Sequence, residues 1–133
     1  MNRIKMREYT FKLLFCNEFH EKSEMPKQYD LFLDNLENTV LYEQERDYIT
    51  KKVTDIINHK DEIDEALDSV SVGWSTQRMA KVDLTILRLA YYEMKMEEDI
   101  PQKVAIDQAV ELAKKFGSDD SPSFVNGILA KIF

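Results

Sequence analysis

Only six residues of this 133-residue chain are glycine or proline, three of each, and that scarcity limits the fold more than any other feature. Average usage is about 7% Gly and 5% Pro, and a sandwich or barrel of many short strands needs turn formers at short intervals. Five of the six fall between segments of helical period: Pro26, Gly73, Pro101, Gly117 and Pro122. Gly127 alone sits inside one. No stretch alternates with period two, no Asn-Gly pair is flanked by strand-like runs, and no internal repeat or low-complexity segment stands out. The spacing predicts about seven helices and no sheet.

In the first segment Ile4, Phe11, Leu14, Phe15 and Phe19 fall on one helical face. A shorter amphipathic helix is predicted over 27–38, with Tyr29, Phe32, Leu33 and Leu36. Residues 43–58 place Tyr48, Ile49, Val53, Ile56 and Ile57 on a stripe, and 61–70 follow with Ile63, Ala66, Leu67 and Val70. The stretch 76–96 has two stripes: Leu84, Leu87, Tyr91 and Met94, and Val82, Ile86, Leu89 and Ala90. A helix apolar on two sides is buried on two sides, so this one is expected at the centre. Pro101 opens the next helix, which buries Ala105, Ala109, Leu112 and Phe116 and ends at Gly117 as at a C′ residue. Ser121-Pro122 reads as an N-cap and first residue of a last helix carrying Phe124, Val125, Ile128, Leu129 and Ile132.

A chain of this length is one ordinary domain, 1–133, and buries enough surface to fold without staples. With 44% hydrophobic and 32% charged residues it reads as a soluble, folded protein. There is no run of 18 apolar residues and hence no spanning helix. Met1-Asn2-Arg3-Ile4-Lys5 lacks an apolar signal core, and Cys16 is the single cysteine, so a cytoplasmic chain without disulfides is expected.

The net charge of −7 argues against generic nucleic-acid affinity, but its distribution is uneven. Residues 1–15 set Arg3, Lys5, Arg7 and Lys12 against Glu8 alone, a net +3. A basic tip on an acidic body suits a polyanion at one place and a basic partner at another; an ordinary solvated surface explains it equally. If the helix begins at residue 3, Arg3 and Arg7 fall on one flank of the apolar stripe and Lys5 and Lys12 on the other. They converge on one polyanion only if the first residues are extended and the helix starts near Arg7. Periodicity leaves this open.

Sites for chemistry are few. Cys16 and His20, four apart, could meet as a metal or thiolate–imidazole pair, but no second cluster closes a zinc site, and a small packed residue is the better reading of Cys16. No phosphate loop, nucleophile elbow or metalloprotease helix is present. No enzyme, cofactor or metal is expected. Asn126-Gly127 is unusual, because Gly inside a helix costs about 1 kcal/mol relative to Ala. Close packing against a neighbouring helix is the favoured reading; a backbone surface left open for a ligand strand is the alternative.

The segments Trp74-Ser75-Thr76-Gln77-Arg78, Val82-Asp83-Leu84-Thr85-Ile86-Leu87-Arg88, Asp99-Ile100-Pro101-Gln102-Lys103-Val104-Ala105-Ile106, Glu111-Leu112-Ala113-Lys114-Lys115-Phe116-Gly117 and Phe124-Val125-Asn126-Gly127-Ile128-Leu129 stand in fixed order. With Arg7-Glu8 and Leu14-Phe15 near the start, the sequence resembles the bacterial NusB family of transcription antitermination factors. The likeness spans essentially the whole chain and is most specific from 74 to 129. It departs from the family pattern at Met6, where Ala is usual, at Phe15 for Tyr, and at Asp107-Gln108 for Asn-Glu.

The resemblance implies an all-α fold of two packed three-helix bundles. It also implies binding of boxA-like single-stranded RNA together with NusE, a small-subunit ribosomal protein, as part of the transcription elongation complex on ribosomal RNA operons. RNA contacts would lie on Arg3, Lys5 and Arg7; if the tip is extended, Arg7, where it joins the helix, is expected to matter most. Flanking candidates are Lys114, Lys115, Asp120, Ser121, Phe124 and Asn126. Asp83, the lone acid among 76–92 and expected on the exposed side of the central helix, is the candidate NusE contact. Other readings are a NusB-like module for ribosomal RNA recognition or modification and a purely structural oligomerisation unit.

Overall fold

A computed structural model describes residues 2–37 and 39–132. Among them are seven α-helices and no strand: α1 Arg3–Cys16, α2 Met25–Leu33, α3 Glu43–Asn58, α4 Lys60–Val70, α5 Lys81–Met96, α6 Gln102–Phe116 and α7 Ser121–Ile132. No described helix is long and apolar enough to cross a membrane. The chain divides into two units, Met1–Asn58 and His59–Phe133.

In the first unit α1 packs chiefly on α3 and less extensively on α2. Phe11, Leu13 and Leu14 of α1 meet a core that includes Ile49, Val53 and Ile56, each of the last three 0% exposed. The expected single face of α1 is corrected here. Ile4 and Phe19 are exposed, whereas Tyr9 and Leu13 are buried, because from Arg7 to Leu14 seven of eight residues are enclosed. Tyr48 likewise sits at the rim of α3, largely exposed. The second helix starts earlier than expected, with Pro26 in its first turn where a missing N–H is harmless, and it ends at Leu33. Asn38, the last residue of the range expected for it, lies outside the described residues. Between helices, Arg46 bridges Asp30 and Asp34 of the α2 end, and Tyr29 and Thr54 share a hydroxyl bond of 2.9 Å.

In the second unit α5 is the most enclosed helix, with ten of its sixteen residues buried, including Leu84, Ile86, Leu87 and Leu89. It packs on α6, α7 and α4. Ala105, Ala109 and Ala113 line the buried side of α6, and these small side chains let the helices approach closely; Phe116 is only half-buried. The central helix begins at Lys81 instead of residue 76. Thr76–Arg78 forms a separate 3-10 turn, held by Asp68, whose Oδ1 accepts from the Thr76 amide at 2.7 Å. Arg88 of α5 grips Asp64 of α4 through two bonds of 2.8 Å.

The α6–α7 corner shows why Gly117 is required. Its φ of −92° is ordinary, so it is not the left-handed C′ residue expected. A Cβ there would instead lie 2.5 Å from Ser121 Cβ and 2.8 Å from the Ala113 carbonyl. Gly127 gives the opposite result. A Cβ there meets nothing within 4 Å, so close packing of this turn does not account for the glycine, and its backbone lies open.

Candidate nucleic-acid interface

The N-terminal group is helical from its start. Asn2 caps α1, its Oδ1 accepting from the Lys5 amide at 2.8 Å, which satisfies one of the orphan donors of the first turn. The extended tip is therefore not adopted. Arg3 and Lys5 are exposed, with Lys5 Nζ 5.8 Å from the centre of the Tyr9 ring. Arg7 is 8% exposed and is engaged by neighbours, and Lys12 pairs with Glu8 at 3.7 Å. No acid lies in the first turn. Two exposed cations thus add to the positive end of the helix dipole, which concentrates positive potential at the mouth of α1. The arrangement repels other cations and suits an anion.

The second group lies at the α6–α7 corner. Lys114 and Lys115 are exposed in the last turn of α6, at the negative end of its dipole. Lys114 reaches Glu111 at 3.4 Å, and Lys115 lies 5.5 Å from the Phe116 ring centre. Asp120 is exposed, and its carbonyl accepts from the Phe124 amide, so Asp120 takes the cap position expected of Ser121. Ser121 is 1% exposed, and its Oγ accepts from the Ser118 amide at 2.9 Å. Its role is to hold the corner against Gly117. Phe124 is half-buried, while Asn126 and Gly127 are exposed on α7.

Asp83 does not stand on the exposed side of α5. It is half-buried in the first turn, where the dipole favours an acid, and its Oδ1 is sealed from solvent with no hydrogen-bond partner among the described residues. Cys16 and His20 do not share a helix face, because α1 ends at Cys16 and a 3-10 turn follows. The Cys16 thiol points to Gln28 Oε1 at 3.8 Å, and burial pushes its pKa up; His20 lies 4.0 Å from Glu24. Among the described residues no group of His, Cys, Asp or Glu is placed to hold a metal.

Comparison with known proteins bears on the family and the fold. The NusB family profile matches residues 4–133. The chain belongs to the NusB family. A relative from Agathobacter rectalis, named Transcription antitermination protein NusB, is 56% identical over 131 residues, covering 98% of each chain. The NusB structure from T. maritima superposes with a TM-score of 0.85 at 34% identity, covering 99% of this chain and 90% of that one. A crystal structure of antitermination factors NusB and NusE with double-stranded RNA has the same fold, with a TM-score of 0.78 at 24% identity, covering 99% and 97%.

Sequence reasoning passed over one exposed feature of the second unit. Trp74 belongs to a family-like motif, yet it is 46% exposed, with the Arg78 guanidinium 5.0 Å from the ring centre. A lone tryptophan four residues before an arginine was the available signal, since that spacing allows stacking on a helical turn.

Proposed function

We propose that this chain is an RNA-binding transcription antitermination factor that binds boxA-like RNA jointly with NusE, acting as a single domain over 1–133 in the bacterial cytoplasm. The observation that carries the reading is its 56% identity, over nearly the whole of both chains, to a protein named for antitermination. The NusB–NusE–RNA crystal structure, which shares the fold, makes RNA and NusE the partners to test. The role is one of binding and assembly and needs no covalent chemistry.

The charge distribution suits that role. Arg3 and Lys5 at the mouth of α1 supply phosphate contacts on the first unit, and Lys114 and Lys115 offer separate ones on the second. Phe124 and Asn126 offer an aromatic face and an amide, the groups that read unstacked bases. Ser121 contributes through the corner it holds, and Asp120 bounds the site. With so few cations on a chain of net charge −7, RNA affinity alone is weak, and an acidic body favours a basic ribosomal protein as co-binder. Joining two modest surfaces raises affinity without any new contact.

The test is fluorescence anisotropy of labelled boxA-like RNA titrated with the chain, alone and with NusE. Tighter binding with NusE, and tighter binding of boxA-like than of scrambled RNA, is the expected result. No binding of either RNA under both conditions overturns the reading.

A further inference from the structure

A groove of about 260 Å³ opens on the second unit between the turn after α4 and the exposed side of α7, lined by Val72, Trp74, Phe124, Gly127, Ile128 and Lys131. Three features set it apart from an ordinary surface dip. Its walls carry large apolar groups left in solvent, with Val72 89% and Trp74 46% exposed. Its floor includes the helical glycine whose missing side chain no neighbour demands. Its charge runs against the rest of the protein. Of the 133 residues 25 are acidic, yet neither 71–80 nor 121–132 contains one, and the cations there are Arg78 and Lys131. Neither cation has an acidic partner among the described residues.

Trp74 is held in place. Gly73, at φ +78°, turns the chain into it, and the Trp74 amide donates to the Ser71 carbonyl at 3.2 Å. Asp68 fixes the following turn through both the amide and the hydroxyl of Thr76, and Arg78 stacks over the indole at 5.0 Å. A solvent-facing indole with a cation above it, the one nearby acid, Asp68, being engaged by Thr76, is a platform for a flat, anionic ligand. The volume lies below the roughly 300–1,000 Å³ of sites for drug-sized molecules, which leaves room for one planar ring.

We propose that this groove receives one unpaired base of single-stranded RNA, stacked on Trp74, with Gly127 leaving the space for the ring and Arg78 and Lys131 facing the adjoining phosphates. Charge decides the occupant: an acidic chain that clears every acid from the two segments around an apolar groove is built for a polyanion with aromatic faces. The inference rests on the RNA-binding reading above and adds a base subsite to it.

Trp74 is the only tryptophan, so its emission reports on the groove directly, while anisotropy of fluorescein-labelled boxA-like RNA reports on binding anywhere. RNA titration is expected to quench Trp74. Gly127→Leu, which fills the groove at a position free of clashes, is expected to abolish the quenching and weaken RNA at least about fivefold, the low end for one base–aromatic stack. Trp74→Ala is expected to match that loss, with helical content by circular dichroism unchanged in both variants. If labelled RNA binds but Trp74 emission is unchanged and Gly127→Leu binds as the parent does, the groove proposal is overturned and the RNA-binding reading survives. If anisotropy shows no RNA binding with or without NusE, both fall. If emission responds to NusE and never to RNA, the groove docks a protein and the base subsite is overturned.

Discussion

Arg88 and Asp64 form a two-pronged ion pair, Nε to Oδ1 and Nη2 to Oδ2, each at 2.8 Å, between α5 and α4. The guanidinium side chain is 7% exposed and the carboxylate 21%. Arg88 therefore enters the most enclosed helix of the second unit with its charge matched by a planar partner that only a guanidinium fork fits twice. Removing one member breaks the pair and its two bonds, and the loss of a buried pair costs about 3–5 kcal/mol. Asp64→Ala should fall at the low end of that range because the carboxylate is partly wet. Arg88→Lys, which keeps the charge and loses the fork, should also destabilise. Urea unfolding of both variants checks this, and parental midpoints would show the pair to be incidental.

The two helix-associated glycines should respond to alanine with opposite signs. Gly127→Ala adds a methyl in open space on α7 and removes the helix penalty of glycine, so stability should rise by about 1 kcal/mol. Gly117→Ala drives a methyl to within 2.5 Å of Ser121 and into the Ala113 carbonyl, and overpacking of this kind costs about 1–3 kcal/mol. Thermal denaturation of the pair under one condition decides it. A stabilising Gly117→Ala would mean that the α6–α7 corner has slack.

Those glycines also mark what a sequence can and cannot disclose. Helix number and order were legible because breakers and period 3.6 are local, and α3 runs over the expected residues. Local patterns do not say what lies opposite a residue. Sequence separates Gly117, at a helix end, from Gly127, inside one, but only tertiary structure places Ser121 against the first and empty space against the second. The single face drawn for α1 failed for the same reason: a helix enclosed on several sides hides its facing behind polar residues such as Arg7, Glu8 and Thr10, all buried. Asp83 was placed outside because it is an acid, yet the helix dipole holds it half inside. Trp74 escaped notice as a surface group because tryptophan is highly buried on average.

Asp83 connects the fold to the proposed co-binder. Its Oδ1 is sealed and finds no donor among the described residues, while the residue as a whole is only half-buried, so its charge is left for a basic partner to balance. Asp83→Asn keeps the shape and removes the charge, so it should weaken association with NusE while thermal stability stays near the parent's. Titration calorimetry with NusE is the measurement. Unchanged affinity removes Asp83 from the interface.

Tyr29 makes the first unit sensitive to alkali. Burial pushes its phenol above the usual value, against the opposing effect of its hydrogen bond with Thr54. The folded state thus keeps the proton to higher pH than the unfolded chain, which titrates near about 10. Stability from this group is complete below that pH and is lost as pH rises through the folded value. Tyr29→Phe should cost about 1 kcal/mol at pH 8 through the lost hydroxyl bond. The gap between parent and variant should narrow above pH 10, read from urea midpoints. A gap that widens with alkali would reverse the sign of the burial effect.

Arg3 and Lys5 should control the salt dependence of RNA binding, and Arg7 should not. If all three cations of the tip met phosphates, removing them would flatten the slope of log affinity against log salt by roughly 2, at about 0.7 per contact for single strands. The structure leaves two of them exposed and encloses the third. Replacing Arg3 and Lys5 with alanine should therefore reduce the slope by about 1.4, and adding Arg7→Ala should not flatten it further. Arg7→Ala alone should instead lower the melting temperature, because a buried, engaged guanidinium leaves its neighbours unpaired when it goes. The measurement is RNA affinity at several salt concentrations with NusE present to bring binding into range. Equal losses on boxA-like and scrambled RNA would mark Arg3 and Lys5 as groups that position the strand while other side chains read it. An unchanged slope in the double variant would move the phosphate contacts to Lys114 and Lys115. A further drop in slope with Arg7→Ala would show that α1 opens at its start when RNA binds.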